Sequence, residues 1–252
     1  MSSSYKGTFA FRKDVGRVRL SNEDQCVVSL SSSGDVFLCV CDGMGGQNKG
    51  DYASKMALDS MIEDFRSMPR IPSMFLKNWL AKAYKKANGL IYAEAGKNPL
   101  YRDMGTTCVT ALIRGDKLIV GNAGDSRAYR YSRDTLRLTR LTEDQTYVDY
   151  LYRTGRIEAS EMASRPDRHV LMNAMGISRG AYFDIKAYPY HGESILLCSD
   201  GLYNNLSEAE IKAVLSTDDL SDEKAGFLIS EANANGGSDN IAVALWEALR
   251  HD

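Results

Sequence analysis

Apolar residues occur along this chain in short uninterrupted runs, which are separated by polar and turn-forming residues. Apolar, β-branched and aromatic runs of roughly four to eight residues between turn signals indicate buried β-strands. This pattern predicts strands at residues 9–13, 25–30, 36–41, 107–114, 117–121, 127–131, 182–188, 194–199 and 241–247. Several of them follow one another through short turns such as residues 114–116, which indicates antiparallel hairpins.

Helical periodicity occupies separate blocks of the chain. It predicts helices at residues 51–65 and 73–95, a third helix after Ser207 and a fourth at residues 222–233. The Ser–x–x–Glu spacing of Ser207 and Glu210 is typical of a capping box at a helix start. Because strands and helices come in blocks, the sequence predicts an α+β fold with antiparallel sheets covered by helices.

A polar stretch at residues 142–180 interrupts two strand blocks and carries short helical patterns such as residues 145–153. We interpret it as a flap-like surface insertion, an element that often gates a site or selects substrates. We expect a single domain over residues 1–252, because the carboxylates that would form one site lie at both ends of the sequence.

Composition and charge narrow the function classes. The chain has 252 residues, of which 44% are hydrophobic and 25% charged, and its formal net charge is -2. This balance is ordinary for a globular protein and argues against nucleic acid as the main partner. No apolar run approaches the roughly 20 residues of a membrane span, and the first residues lack a secretory pattern. Five cysteines, an odd number, are expected to be reduced, buried and structural, so we expect a cytoplasmic protein.

Carboxylates stand at the ends of three apolar runs. Asp42 and Asp200 each follow such a run and precede a glycine, and Asp239 stands just before the run at residues 241–246. A carboxylate at the end of a buried strand is costly to desolvate unless a positive charge compensates it. If the three converge, they offer the oxygen ligands that Mg²⁺ and Mn²⁺ prefer, and two bound ions could activate a water for attack on a phosphoester.

Six short motifs in fixed order extend this pattern over nearly the whole chain. They are Val-Arg-Leu-Ser-Asn-Glu-Asp-Gln at 18–25, Asp-Gly-Met-Gly-Gly at 42–46, Met-Gly-Thr-Thr at 104–107, Gly-Asp-Ser-Arg at 124–127, Ser-Asp-Gly at 199–201 and Gly-Ser-Asp-Asn at 237–240. In this order they resemble the metal-dependent PP2C (PPM) family of protein serine/threonine phosphatases, most closely its short bacterial members. The resemblance implies an α-β-β-α sandwich, with two packed antiparallel sheets flanked by helices, and hydrolysis of phosphoserine and phosphothreonine in proteins.

The resemblance also implies metal ligands, with Mn²⁺ or Mg²⁺ as two bound ions and a third, weaker one. Asp42 would bridge the two ions, and the backbone carbonyl of Gly43 would join one of them. Asp200 and Asp239 would hold the other ion, and Glu23 would act through a metal-bound water.

Further roles follow from the same resemblance. Asp125, together with Asp200, would form the third metal site, and Asp24 would order metal-bound water. Arg19 would bind the substrate phosphate through its planar fork of donors, and its distance from Glu23 makes it preferable to Arg17. Asn240 would have a supporting role. The implied partners are phosphorylated proteins, with a bacterial serine/threonine kinase and its targets as candidates.

The sequence departs from the family pattern at two positions. Met44 stands where animal relatives carry a histidine as candidate general acid, so we hypothesise that a water on a metal ion protonates the leaving group. Gln145 stands where relatives often have a histidine. Gly43, Gly45 and Gly46 are expected to let the backbone turn sharply beside the ions.

Some signals favour a structural interpretation. Cys108 and Arg114 have the Cys-x₅-Arg spacing of cysteine-dependent phosphatases, but the residues between them indicate a strand rather than a phosphate-binding loop. The three histidines are predicted to be surface or structural residues, and we expect Arg127 to brace the loop of Asp125. The histidines are His169, His191 and His251.

Two rival functions remain open. One is a degenerate relative that recognises phosphoproteins without turnover, although every motif position is intact. The other is a metal-dependent hydrolase of small phosphate esters, which no residue excludes. A regulatory phosphatase of the sporulation or stress-response type is a variant of the main hypothesis; the intact Arg19 and the flap-like insertion favour the broader bacterial type.

Overall fold

Two five-stranded antiparallel ladders carry most of the strands. The computed structural model describes residues 5–45, 49–162 and 164–249, so Gly46 and His251 lie outside the described residues. The strands are β1 (Gly7–Asp14), β2 (Asp24–Leu30), β3 (Val36–Met44), β4 (Gly105–Thr106), β5 (Cys108–Arg114), β6 (Lys117–Ala123), β7 (Arg127–Ser132), β8 (Arg137–Arg140), β9 (Asp184–Pro189), β10 (Ser194–Cys198) and β11 (Ile241–Ala248). One sheet has the order β1-β11-β10-β7-β8, and the other has the order β2-β3-β5-β6-β9 with β4 paired to the end of β3.

Helices cover the outer faces of both sheets. They are α1 (Lys49–Arg66), α2 (Leu76–Lys97), α3 (Tyr147–Arg153), α4 (Ala159–Met162), α5 (Asp200–Tyr203), α6 (Glu208–Ser216) and α7 (Ser221–Ala234). The pair α1 and α2 packs on the sheet that contains β3, and α5, α6 and α7 pack on the sheet that contains β11. The predicted α+β sandwich with flanking helices is confirmed.

The central strands are apolar throughout because both of their faces are buried. Side chains alternate between faces along a strand, so Leu38 and Val40 of β3 enter the layer between the two sheets. Cys39 and Cys41 of the same strand face α1 and α2 instead. In β11, Ala244 and its alternates likewise pack between the sheets while Val243 and its alternates pack under α7. Three apolar layers therefore hold four structural layers together.

The structure corrects some predicted element boundaries. Thr107 separates β4 from β5, so the strand predicted at residues 107–114 begins one residue later, and helix α2 is preceded by a 3₁₀ turn at Ser73–Phe75. Strand β8 and the single-turn helices α4 and α5 were not predicted. β8 has four half-buried or exposed residues and α5 has four residues, so neither presents a periodic apolar pattern.

The Cys-x₅-Arg stretch is a strand, as predicted. Cys108 begins β5 and is fully buried, and Arg114 at the other end donates two hydrogen bonds to Asp35, at 2.9 Å and 2.6 Å. No phosphate-binding loop is formed there. All five cysteines are buried and none is in a disulfide, which agrees with the expectation of buried, reduced thiols.

Three residues of the stretch at 142–180 line a cavity at one rim of the sandwich, beside the ends of β3, β10 and β11. The stretch contains α3 and α4, and it is tied to the rest of the fold by a bridge between Thr106 and Met175. Met175 and Thr146 are buried, so part of this stretch packs as core rather than as loop. No helix in the described part of the chain is long and apolar enough to cross a bilayer.

Candidate active site

The predicted carboxylates converge at one rim of the sandwich. Asp24 and Asp42 are directly opposite each other at the paired ends of β2 and β3. Asp200 follows β10 and begins α5, Asp239 precedes β11, and Asp125 lies in the turn between β6 and β7. With Arg19, Glu23, Gly43 and Asn240, all of these carboxylates except the deeper Asp24 line one cavity of about 870 Å³.

Glycines allow the site-forming segments to approach each other closely. A Cβ atom on Gly43 would overlap the backbone carbonyl of Gly50 at the start of α1. A Cβ atom on Gly201 would overlap the backbone carbonyl of Asn240. The Asp-Gly pairs are therefore required by close backbone contact, which a side chain would prevent. A positive φ of 131° at Gly45 provides the sharp turn that the sequence indicated, further along the same segment.

Backbone contacts hold Asp42 in place. Its N–H donates to the Thr107 hydroxyl at 3.0 Å, and its carbonyl accepts from the Thr107 N–H at 2.8 Å and from the Thr106 hydroxyl at 2.9 Å. Thr107 in turn exchanges a hydroxyl hydrogen bond with Ser126, beside Asp125. The Met-Gly-Thr-Thr and Gly-Asp-Ser-Arg motifs thus support the carboxylates of the other motifs.

Asn240 fixes the segment that carries Arg19 and Glu23. Its side-chain amide donates to the carbonyls of Val15 and Ser21, both at 2.9 Å, and its side-chain oxygen accepts from the N–H of Glu23 at 2.8 Å. Asn240 is almost fully buried. The supporting role proposed for it therefore has a definite physical form, which is to clamp both ends of one loop.

Arg19 enters the cavity and Arg17 does not. The Arg19 guanidinium donates to a carboxylate oxygen of Asp239 at 2.8 Å, and this hydrogen bond and charge raise the pKa of Arg19. More than half of the Arg19 side chain is exposed, so its remaining donors can reach a ligand from solvent. Arg17 lines a different depression, beside Asn233 of α7.

Burial and mutual repulsion raise the carboxylate pKa values. Burial first, and then the charges of neighbouring carboxylates, raise the pKa of Asp24 and of Asp125 to about 8 and that of Asp200 to about 6. The pKa of Asp42 is also raised well above its ordinary value by burial and by the charges of Asp24 and Asp200. So many acids at one place favour bound cations, which would compensate their charge.

The donor set fits hard divalent cations. The carboxylates offer oxygen atoms only, and Oδ1 of Asp24 is buried without a hydrogen-bond partner, although its Oδ2 accepts from Ser199 at 2.6 Å. Among the described residues, no three carboxylates bring their oxygens within 4.8 Å of one another. Mg²⁺ and Mn²⁺ suit such a spread arrangement, because they retain several waters that can bridge to more distant acids.

Gln145 has a contact near the cavity that the sequence did not predict. Gln145 accepts a hydrogen bond from the Gly124 N–H at 2.9 Å, so it holds the turn that precedes Asp125. Its amide thus has a structural role at the position where relatives have histidine. No pattern in a single sequence connects residues 124 and 145, and only their proximity in the fold reveals the contact.

Arg127 braces the Asp125 loop, as expected, through a third residue. Its guanidinium pairs with Asp144 at 2.6 Å and lies 3.5 Å from the centre of the Tyr203 ring. The Tyr203 hydroxyl donates to the carbonyl of Asp125 at 3.1 Å. The contact therefore passes from Arg127 through Tyr203 to Asp125.

His169 lies closer to the site than its sequence position suggested. It is exposed, as predicted, but it lines the acidic cavity together with Arg168 and Leu171, all from the stretch at residues 142–180. Partial burial and the Arg168 charge lower the pKa of His169. Its surface location agrees with the prediction, and its place beside the acidic motifs comes from the fold, since they are far from it in sequence.

Comparison with known proteins agrees with this architecture. A family profile described as "Protein phosphatase 2C" matches residues 16–227. The "Serine/threonine phosphatase stp" of Listeria innocua is 35% identical over 239 residues, which are 94% of each chain. The crystal structure of the serine/threonine phosphatase Stp1 from Staphylococcus aureus superposes with a TM-score of 0.91 at 30% identity, covering 100% of this chain and 98% of that one. The crystal structure of the Mycobacterium tuberculosis serine/threonine phosphatase PstP/Ppp gives a TM-score of 0.87 at 30% identity, covering 97% and 99%.

The four-layer sandwich with an acid-lined cavity at its rim is the architecture of a class of phosphatases that depend on divalent metal ions. Within it, the chain belongs to the protein phosphatase 2C family, of the bacterial type. It is a protein serine/threonine phosphatase, and its substrates are phosphorylated proteins.

Proposed function

We propose that this phosphatase hydrolyses phosphoserine and phosphothreonine at a binuclear Mn²⁺ or Mg²⁺ centre in the acidic cavity. The observation that carries the proposal is the convergence of the carboxylates of five motifs on one cavity that Arg19 also enters. When bound, the two ions would supply a water activated for attack on phosphorus and positive charge for the transferring group.

The residues divide into ligands and substrate-binding groups. Asp42, with the Gly43 carbonyl, and the pair Asp200 and Asp239 would hold the two ions, and Glu23 would act through a bound water. Asp125 would complete a weaker third site with Asp200. Support comes from the raised pKa values of Asp42, Asp125 and Asp200, because acids that repel each other favour cations between them.

Arg19 would bind the phosphate oxygens, since its exposed guanidinium lies within hydrogen-bond distance of a ligand carboxylate. From that position Arg19 would hold the phosphate beside the ligand carboxylates and offset its charge. The buried Oδ1 of Asp24 has no protein partner, so it is available to accept from a metal-bound water. Asn240 would keep Arg19 and Glu23 in register with Asp239 through its three hydrogen bonds.

The domain organisation, the physiological targets and the cellular compartment are part of the same proposal. The chain would form one domain, with residues 142–180 as a flap beside the cavity, since Arg168 and His169 of that stretch line it. The physiological targets would be substrates of a cognate serine/threonine kinase. Five buried thiols outside any disulfide support the cytoplasm as the compartment.

Phosphate release from a phosphothreonine peptide tests the proposal. We expect turnover with Mn²⁺ and with Mg²⁺, none with chelator, and loss of at least about 100-fold in an Asp200→Asn variant. An Asp218→Asn variant, altered at an exposed acid that does not line the cavity, serves as the control and should keep its activity. Metal binding without turnover in the wild-type protein would instead support the phosphoprotein-binding module.

Competition between substrates separates the other rival. The phosphopeptide should be hydrolysed with a higher kcat/KM than a small aryl phosphate, because a protein substrate can also contact the rim formed by residues 142–180. A small phosphate ester that outcompetes the peptide would favour a hydrolase of small molecules.

A further inference from the structure

Three cysteines form a compact group behind the acidic cavity. The Sγ atom of Cys39 is 3.6 Å from that of Cys41 and 3.9 Å from that of Cys108, and all three sulfurs lie within 4.8 Å of one another. Cys39 and Cys41 lie on the same face of β3, and Cys108 begins the adjacent strand β5. All three are fully buried in the layer under α1 and α2.

The spacing matches the ligand triangle of a soft metal ion. A metal–sulfur distance of about 2.3 Å places neighbouring thiolate sulfurs about 3.8 Å apart in tetrahedral geometry and about 4.0 Å apart in trigonal geometry. The Sγ–Sγ distances of 3.6 Å between Cys39 and Cys41 and 3.9 Å between Cys39 and Cys108 agree with these values to within a few tenths of an ångström. An ion could therefore enter the triangle with little backbone movement.

We propose that Cys39, Cys41 and Cys108 form a second metal site, distinct from the carboxylates, which takes a thiophilic d¹⁰ divalent cation such as Zn²⁺ or Cd²⁺. Thiolate ligands select such soft ions, whereas Mg²⁺ and Mn²⁺ prefer oxygen. The site goes beyond the proposed catalytic centre and does not depend on it.

The ion and the three sulfurs offset most of each other's charge in the apolar layer. A divalent cation that binds all three sulfurs displaces three thiol protons, which pass to solvent, because a thiol that coordinates a metal ion is deprotonated. The loaded site then carries a net charge of -1, instead of the -3 of three bare thiolates among apolar neighbours such as Ala53 and Phe37.

The site is connected to the catalytic cavity through one residue on each strand. Cys41 directly precedes Asp42, and Cys108 directly follows Thr107, whose hydroxyl accepts the Asp42 N–H hydrogen bond. Binding of an ion fixes both strands at the sulfurs, so it also changes the freedom of Asp42. We expect a loaded chain to lose about tenfold or more of its phosphatase activity, since small displacements of catalytic groups are costly.

Cadmium absorption tests the site without reference to activity. The chain is refolded from urea with Cd²⁺, a phosphine reductant and excess Mg²⁺. Refolding in the presence of Cd²⁺ lets the ion reach the buried sulfurs, and the excess Mg²⁺ competes for the carboxylate oxygens. We expect an ultraviolet thiolate-to-cadmium band that saturates at about one ion per chain, with release of about three protons. Cys39→Ala and Cys108→Ala variants should lose the band.

Cys198→Ala is the matched control, because Cys198 is also fully buried but lies in the layer under α6 and α7, outside the group. It should keep the band, and circular dichroism checks that every variant refolds. Absence of the band in the wild-type chain, or its persistence in the Cys39→Ala variant, would overturn the proposed site. Unchanged phosphatase activity in cadmium-loaded wild-type protein would overturn its connection to Asp42.

Discussion

Replacing Asn240 with alanine tests whether one buried amide holds the substrate-binding loop. The change removes two hydrogen bonds to the carbonyls of Val15 and Ser21 and one from the N–H of Glu23. At roughly 0.5–1.5 kcal/mol each, the three bonds correspond to about 1.5–4.5 kcal/mol. We expect a loss of about 2–3 kcal/mol in the free energy of unfolding, because water can reach part of this loop and replace some of the bonds.

Activity should fall with stability, for a separate reason. Once the clamp is lost, Arg19 and Glu23 are free to move relative to Asp239, and a displacement of about 1 Å can cost about 100-fold in rate. We therefore expect kcat/KM to fall by about 10- to 100-fold, at protein concentrations and temperatures where the variant is still folded.

Urea unfolding followed by circular dichroism measures the first quantity, and phosphate release from a phosphothreonine peptide measures the second. Asn235→Ala is a suitable control, since the side chain of Asn235 is exposed and donates a hydrogen bond to the Asn205 carbonyl at 3.0 Å from a position at the surface. It should cost less than about 1 kcal/mol. If Asn240→Ala matched this control in both stability and kcat/KM, the clamp argument would be refuted.

Three further outcomes follow from the site. Arg19→Lys should raise KM about tenfold or more while leaving the fold stable, because a lysine lacks the planar fork that matches phosphate; equal KM values would contradict this role for Arg19. Gly201→Ala should destabilise the protein by about 1–3 kcal/mol, because the added Cβ would overlap the Asn240 carbonyl. In thermal melts, Gly89→Ala on the open face of α2 should instead stabilise it by about 0.5–1 kcal/mol. In chelator, the free energy of unfolding should fall as pH rises from about 4 to about 8, because the pKa of Asp24 and Asp125 is about 8 in the folded chain and about 4 in the unfolded chain, so the folded chain binds more protons in this range. A melting temperature that rises with pH would contradict this expectation.

The sequence alone was sufficient for the elements whose pattern is local. Residues 36–41 and 241–246 are apolar on both faces, which is typical of buried strands, and the Ser207–Glu210 capping box is present as predicted. Strand β8 was missed because an edge strand of four residues, from Arg137 to Arg140, needs no apolar face. Its pairing with β7 is a tertiary contact that periodicity does not register.

The same distinction applies to the site. Asp42, Asp200 and Asp239 were recognisable because a carboxylate beside a buried strand is unusual in any fold. Gln145 and Tyr203 were not recognisable, since each acts on the Asp125 turn from a distant part of the chain through one hydrogen bond. Likewise, the three cysteines of the second proposed site are scattered among strand positions and come together only when β3 and β5 pair.

The arrangement of the central strands explains why catalytic and thiol groups are neighbours. In β3 every other side chain faces α1 and α2, so Cys39 and Cys41 lie on that face, and Asp42, the next residue, lines the cavity at the rim. Thr107, which lies between β4 and β5, contacts Asp42, and Cys108, the first residue of β5, is one of the three clustered cysteines. An ion bound by Cys39, Cys41 and Cys108 would therefore act on two segments that both position Asp42. The proposed thiol site therefore predicts that an ion at the sulfurs changes the position and freedom of Asp42 through β3 and through Thr107, although no atom of that site lies in the acidic cavity.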